Sequence, residues 1–162
     1  MSEPRLTVEL VPSTSWFTNV RSEVSDAEWN VIRRSVYRRA RHRCEVCGGR
    51  GPKWPVECHE VWSYEHPVQR LDRLVALCPA CHEVKHIGLA QMRGRLTEAL
   101  EHMMRVNDWT KEAAVEHWVE AVDLWEERSA LDWTLDLDVI RSAEYRAWLE
   151  RVAPAVARQH SM

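Results

Sequence analysis

Two Cys-x-x-Cys pairs constrain the fold of this 162-residue chain more than any other feature. Cys44 and Cys47 form the first pair, Cys78 and Cys81 form the second, and residues 48–77 lie between them. Zinc prefers four tetrahedral ligands and binds thiolates well, and each short turn lets two sulfurs converge on one ion. The spacing therefore predicts one structural zinc site that is held by four thiolates and closes a long loop of the chain.

The fifth cysteine has no partner in a pair. Cys58 is left over from the two pairs, and we expect a buried or partly buried free thiol there; its alternative role is to replace one of the four ligands.

The opening residues, "MSEPRLTVELVPS", lack the basic start and apolar block of a signal peptide. No apolar run approaches the roughly 18 residues of a membrane helix. We therefore expect a cytoplasmic protein with no membrane partner, whose thiols bind metal rather than form disulfides.

Length and hydrophobic pattern predict a single α+β domain over residues 1–162. Residues 94–152 read as a mostly helical extension, because apolar residues recur there at helical spacing, and this half is rich in acids. Residues 6–11 are β-prone, and residues 133–137 alternate between apolar and polar as a strand does. A pairing between these two segments is one way of tying the ends of the chain together.

Local signals place further elements along the chain. "SDAE" at residues 25–28 is a capping-box pattern that opens a helix reaching about Ala40. The segment "PVECHEVW" predicts a short strand. A helix is expected to begin at Cys81, and Gly88 is expected to end or interrupt it. A last helix is expected to hold Tyr145, Trp148 and Leu149 and to stop near Pro154.

A run of arginines leads from the first predicted helix into the first cysteine pair, in a chain whose net charge is −3. Guanidinium groups bind backbone phosphates without reading sequence, so the run predicts contact with DNA, or alternatively RNA. The competing interpretation is an ordinary solvated helix face. The residues are Arg33, Arg34, Arg38, Arg39, Arg41 and Arg43.

Three histidines suggest a second metal site. His82 and His86 are four residues apart on a predicted helix, so both imidazoles share one face. His59 lies on the short strand inside the loop that the zinc would close, with Glu60 beside it. The competing interpretation is that surface histidines have this spacing by chance.

Taken together, "CEVCGG", "ECHEVW" and "LDRLVALCPACHEVKH" resemble the zinc-containing HNH endonuclease family. The resemblance covers about residues 38–88. It implies a small zinc-stabilised ββα-metal core with an N-terminal helix before it and the helical extension after it. It also implies a metal-dependent endonuclease that hydrolyses phosphodiester bonds in DNA with a second divalent cation, Mg²⁺, Mn²⁺ or a transition metal.

The resemblance assigns roles residue by residue. His82 and His86 match the helix ligands of the catalytic ion, and His59 matches the strand ligand. Glu60 then stands where the family has its general-base histidine, and it becomes the candidate to activate water. A normal glutamate is a weaker base than histidine at neutral pH.

A shift of the alignment by one residue gives a different assignment. His59 would then be the general base and Cys58 an unusual ligand. In either alignment Arg73 replaces the family's asparagine, which orients the base. Two other functions stay open: a catalytically silent zinc module that binds nucleic acid or a protein, and an adaptor that binds a protein partner through its acidic helical half.

Overall fold

The computed structural model describes residues 3–145 and 147, and in this part the chain is α+β, as predicted. Residues 143–145 and 147 are helical, and the rest of the expected last helix, with Trp148 and Leu149, lies outside the described residues. A short 3₁₀ turn at Ser13–Ser15 precedes the first helix. The elements in chain order are α1 (Val20–Glu23), α2 (Asp26–Arg39), β1 (Glu57–Glu65), β2 (Val68–Leu77), α3 (Pro79–Lys85), α4 (Ile87–Met92), α5 (Leu96–Asn107), α6 (Lys111–Ser129), β3 (Thr134–Asp136) and α7 (Asp138–Arg141).

The centre of the fold is the antiparallel hairpin of β1 and β2. His59 pairs with Val75 and Val61 pairs with Arg73, and the register shifts between Val61 and Trp62. Successive residues of a strand point to opposite faces of the sheet, whereas directly paired residues share a face. His59, Val61, Arg73 and Val75 therefore lie on one face, which we call the histidine face.

Helix α2 covers the opposite face of the hairpin. Its N-cap is Ser25, whose side chain accepts a hydrogen bond from the Glu28 amide at 3.1 Å, as the capping pattern predicted. Ile32 and Val36 are buried against apolar residues of the hairpin, including Leu74. The hairpin thus separates two hydrophobic clusters, one under α2 and one on the histidine face.

Helix α3 lies on the histidine face directly after β2. Pro79 occupies the first turn, where its missing N–H costs nothing. Val84 of α3 and Ile87 of α4 are fully buried in the cluster on this side. The chain passes from α3 to α4 at His86, and Gly88 lies inside α4, so the expected break at Gly88 is wrong by two residues.

The expected pairing between the terminal β-prone segments is also wrong. β3 forms, but it pairs in parallel with residues 68–70 of β2. Residues 6–11 are not a strand, because their amides find partners on helices instead. The Leu6 amide donates to Asn107 Oδ1 at 2.9 Å, and the Val8 amide donates to His117 Nε2 at 2.9 Å.

The region after α4 is mostly helical, as predicted. Helix α6 begins after Thr110, whose side chain accepts a hydrogen bond from the Ala113 amide at 3.2 Å. Ala99 and Met103 of α5 are fully buried against the histidine-face cluster. Over the described part of the chain, every helix falls short of the length and apolarity that crossing a bilayer demands.

Candidate metal centres

The four paired cysteines come together at the start of α3. Cys44 and Cys47 lie on a tight turn after α2. Gly48 of this turn has a φ of +75°, which residues with a side chain rarely adopt. Cys78 is the N-cap of α3, and Cys81 is fully buried in its first turn. The four sulfurs lie within 4.8 Å of one another, so these residues are positioned to bind one zinc ion.

The spacing of the sulfurs fits a metal and excludes a disulfide. Cys47 Sγ and Cys78 Sγ are 3.7 Å apart. Two thiolates on a tetrahedral zinc, with Zn–S bonds of about 2.3 Å, are about 3.8 Å apart. A disulfide requires about 2.0 Å. All four cysteines are free of disulfides, so the predicted ligand set of the structural zinc is present.

Three of these thiols shift one another's pKa values. Hydrogen bonds from Cys78 and Cys81 lower the pKa of Cys44. The contact with Cys44 raises the pKa of Cys78 to about 11, and contacts with Cys44 and Cys78 raise the pKa of Cys81. One thiol can ionise only at the expense of its neighbours, and a bound Zn²⁺ would remove that conflict.

Amides and an imidazole surround the sulfurs. The amide of Gly49 donates to Cys47 Sγ at 3.3 Å, and that of Cys81 donates to Cys78 Sγ at 3.5 Å. His102 of α5 places Nε2 3.2 Å from Cys81 Sγ. Such donors orient thiolates and tune their charge. Sequence reasoning missed His102, since nothing in its local pattern distinguishes it from another residue of an amphipathic helix.

The three predicted histidines form a second cluster, to which α3 also contributes. His59 extends from β1, His82 lies in the middle of α3, and His86 follows the helix. Their ring centroids are 4.7 to 5.4 Å apart, and one nitrogen from each lies within 4.8 Å of the others. His59 is buried, and the other two are half-buried.

The distance between His82 and His86 tests whether the cluster fits a metal. Their Nε2 atoms are 3.2 Å apart. Two histidine nitrogens on a tetrahedral ion, with metal–nitrogen bonds of about 2.0–2.1 Å, are about 3.3 Å apart. The pair thus has the separation of two ligands of one ion, and imidazole suits zinc and other transition metals.

Two carboxylates that the sequence analysis did not single out contact the histidines. Glu57 Oε2 accepts a short hydrogen bond from His82 Nδ1, which leaves the lone pair of His82 Nε2 facing His86. Glu9 Oε2 lies 3.1 Å from His59 Nε2. A carboxylate behind a ligating histidine is the usual arrangement at protein metal sites, since it fixes the tautomer and the ring.

The electrostatics of this cluster favour neutral imidazoles at His59 and His86 and an ionised carboxylate at Glu57. Burial and the nearby His82 and His59 lower the pKa of His86 to about 3. Burial also lowers the pKa of His59, although Glu9 opposes this. The hydrogen bond from His82 lowers the pKa of Glu57. Neutral imidazole is the form that binds a metal.

Glu60, the predicted water-activating residue, lies on the opposite face of the hairpin. Its Oε2 accepts a hydrogen bond from the Val20 amide at 3.0 Å, and burial raises its pKa. The pleat of a regular strand agrees with this placement, because adjacent residues such as His59 and Glu60 point to opposite faces. Glu60 therefore does not lie with the three histidines in this structure, and its water-activating role stays a prediction. Cys58 shares the face of Glu60 and is a half-buried free thiol, so the alignment that makes it a ligand does not fit either.

The arginine run also lies away from the histidines, on and after α2. Several members have partners within the protein. Arg39 bonds Glu45 at 3.0 Å and the Leu74 carbonyl at 2.7 Å, and Arg33 Nε donates to Asn30 at 2.9 Å. The guanidinium of Arg43 reaches the Gly48 carbonyl at 3.4 Å. Those of Arg34, Arg38 and Arg41 have no partner among the described residues.

A cavity of about 400 Å³ lies on the histidine face, and one of its lining residues, Glu9, contacts His59. Glu9 and Lys85 form part of its wall, and Arg5 and Arg73 line it as well. Arg73 is exposed and has no bonding partner among the described residues, so its charge is free to meet a ligand. The cavity puts basic groups on the same side of the hairpin as the histidines, which the predicted arginine run does not.

Comparisons with protein-family models, with curated proteins and with solved structures find no significant match to this chain. The resemblance to the HNH endonucleases therefore consists of the sequence motifs in residues 38–88.

Proposed function

We propose that this protein is a metal-dependent endonuclease that cleaves phosphodiester bonds in DNA. One observation carries the proposal: His59 of a β-hairpin and His82 and His86 of the following helix converge at ligand separation, beside a cluster of four cysteines that would fix the hairpin to the helix. Three imidazole ligands would leave coordination positions open for a phosphate and a water, whereas four thiolates do not.

The residues present fit a divalent ion, and each has a task. A bound ion would stabilise negative charge on the phosphate and the leaving 3′-oxygen and would acidify a bound water. His59, His82 and His86 would hold it. Glu57 holds His82 with a proton on Nδ1, so that Nε2 stays available to the ion.

Substrate phosphates would be bound on the histidine face. Arg73 is exposed, has no bonding partner among the described residues and lines the cavity next to Glu9 and Lys85. Arginine binds phosphate oxygens in a bidentate manner, and such contacts carry no sequence preference. The arginines on α2, the residues first predicted for this task, would contact DNA only if it also wrapped the opposite side of the hairpin.

The test is nicking of supercoiled plasmid in the presence of Mg²⁺ or Mn²⁺. We expect cleavage by the wild-type protein that chelation abolishes, and loss of cleavage in His59→Ala and His82→Ala. His66→Ala is the matched control, because His66 is exposed at the far end of the hairpin. Both site variants should retain one zinc per chain. If they cut as well as the wild type, the histidine cluster is not a nuclease site.

A silent zinc module that binds nucleic acid or a protein is the second candidate, and the placement of Glu60 favours it. Without Glu60 at the cluster, the residue that the family motif assigns to water activation is not there. This candidate predicts that the protein binds DNA, or a protein partner, and a second ion but leaves plasmid intact under every divalent ion. A gel-shift assay run beside the nicking assay separates the two candidates.

A further inference from the structure

The segment before the first helix reaches the histidine cluster from outside the region that resembles HNH nucleases. Leu6 and Val8 are buried in the histidine-face cluster, and their amides are held by α5 and α6. Thr7 and Glu9 alternate with them and point the other way, toward Lys85 of α3. The segment is thus anchored on one side and offers polar groups to the site on the other.

Both oxygens of Glu9 are engaged there. Oε1 accepts a hydrogen bond from Lys85 Nζ at 2.8 Å, and Oε2 lies 3.1 Å from His59 Nε2. Lys85 Nζ also donates to Thr7 Oγ1 at 3.0 Å, and its side chain is only 7% exposed. A buried ammonium requires a paired anion, so Lys85 and Glu9 hold each other in place.

This geometry decides which nitrogen of His59 can bind an ion. A carboxylate accepts hydrogen bonds and cannot donate one when ionised, so the proton must be on His59 Nε2. The lone pair is then on Nδ1. Glu9 does not belong to the group of three residues whose donor atoms converge, which consists of His59, His82 and His86.

We infer that Glu9 is a positioning residue that locks His59 in the Nε2–H tautomer and leaves Nδ1 to coordinate the ion. The inference deepens the proposed function and rests on it, because it concerns the same metal site. His59 would be the mirror of His82, where Glu57 holds Nδ1–H and leaves Nε2 for the ion. The N-terminal segment is therefore part of the metal centre, and the motif region alone would have a loosely held strand ligand.

The tautomer can be measured directly in the full-length protein, with the cysteine site loaded with zinc and the histidine site empty. Long-range ¹H–¹⁵N NMR spectra assign the proton of each neutral imidazole to one nitrogen. We expect His59 to carry it on Nε2 and His82 to carry it on Nδ1. A His59 proton on Nδ1 would overturn the inference, and this measurement needs no variant that could fail to fold.

Metal affinity gives the second measurement. Co²⁺ titrated into zinc-loaded protein should bind about 10–100-fold more weakly to Glu9→Ala than to the wild type, the usual loss for a partner behind a ligand. Glu9→Gln should lie between them, because its amide oxygen can still accept from Nε2–H. Glu3→Gln, which removes an exposed carboxylate from the same segment, is the control and should bind as the wild type does.

The two measurements separate this inference from the proposed function. Equal Co²⁺ affinity in Glu9→Ala and the wild type would overturn the positioning role, even if the protein nicks DNA. If the wild-type protein binds no Co²⁺ at the histidines, the proposed function fails, and the tautomer of His59 still decides whether Glu9 positions it. A nuclease with the expected tautomer and a weakened Glu9→Ala site would support both.

Discussion

The two clusters at α3 differ in donors, in number and in surroundings. Cys81 and His82 are consecutive residues, yet Cys81 belongs to a group of four mostly buried cysteines and His82 to a group of three histidines. Four thiolates fill the coordination of zinc, whereas three imidazoles leave it open. The comparison teaches that α3 contributes to two different kinds of site. Its first turn would hold a structural zinc, and the histidine that follows belongs to a site with open coordination positions.

Breaking the cysteine side should have the largest effect on the protein. Cys78→Ser, or extraction of zinc by a strong chelator, should abolish cooperative unfolding of the hairpin and α3. Structural zinc contributes on the order of 10 kcal/mol to small domains, which is comparable to the total stability of a typical domain. Circular dichroism melting curves with and without chelator measure the effect.

The control for this prediction is Cys58→Ser. Cys58 is a free thiol that lies under α2, so the substitution should cost about 1 kcal/mol and leave the zinc content at one per chain. An unchanged melting curve after complete removal of zinc would show that the four cysteines do not hold the fold together.

Local chemistry explains which elements could be predicted from the sequence. The starts of α2 and α6 follow from Ser25 and Thr110, whose side chains cap the helices that they precede. The ligand sets follow from spacing, since Cys-x-x-Cys and the four-residue step from His82 to His86 bring donors together within a turn. None of these features needs information from elsewhere in the chain.

Features that depend on distant partners could not be predicted in this way. Residues 6–11 read as a strand, but the amides of Leu6 and Val8 are satisfied by Asn107 and His117, about a hundred positions away. The contact between Glu9 and His59 likewise joins residues that are 50 positions apart in the sequence. No periodicity in the sequence encodes such a contact.

The placements of Glu57 and Glu60, by contrast, were within reach of sequence reasoning. Both lie on β1 with His59: Glu57 is two positions before it, and Glu60 is the next residue. The pleat puts residues two apart on the same face and adjacent residues on opposite faces. The motif alignment suggested Glu60, and strand geometry alone would have favoured Glu57.

Breaking the histidine side should weaken binding of the proposed second ion and spare the fold. His86→Ala takes away one of three ligands, so affinity for Co²⁺ should fall by more than the roughly 10–100-fold that a supporting residue contributes. The melting temperature should fall by only a few degrees, because the substitution leaves a small cavity and the zinc site stays intact. Calorimetric titration and melting curves on the same sample measure both. A variant that unfolds as Cys78→Ser does would erase the distinction between the two clusters.

The finest test sets the two faces of β1 against each other with one matched pair of substitutions. Glu57→Gln weakens the acceptor behind His82, so affinity for Co²⁺ at the histidines should fall by about tenfold. Glu60→Gln makes the same chemical change on the opposite face, where the amide oxygen can still accept from the Val20 amide, so Co²⁺ affinity should not change. Plasmid nicking should follow the same order.

If Glu60→Gln abolished nicking while the ion still bound, Glu60 would have to leave Val20 and reach the substrate, and the water-activating role suggested by the family motif would regain its support. If Glu57→Gln bound Co²⁺ as tightly as the wild type, the hydrogen bond to His82 would contribute nothing to the centre, and the ligand geometry would have to come from the packing of α3 against the hairpin alone.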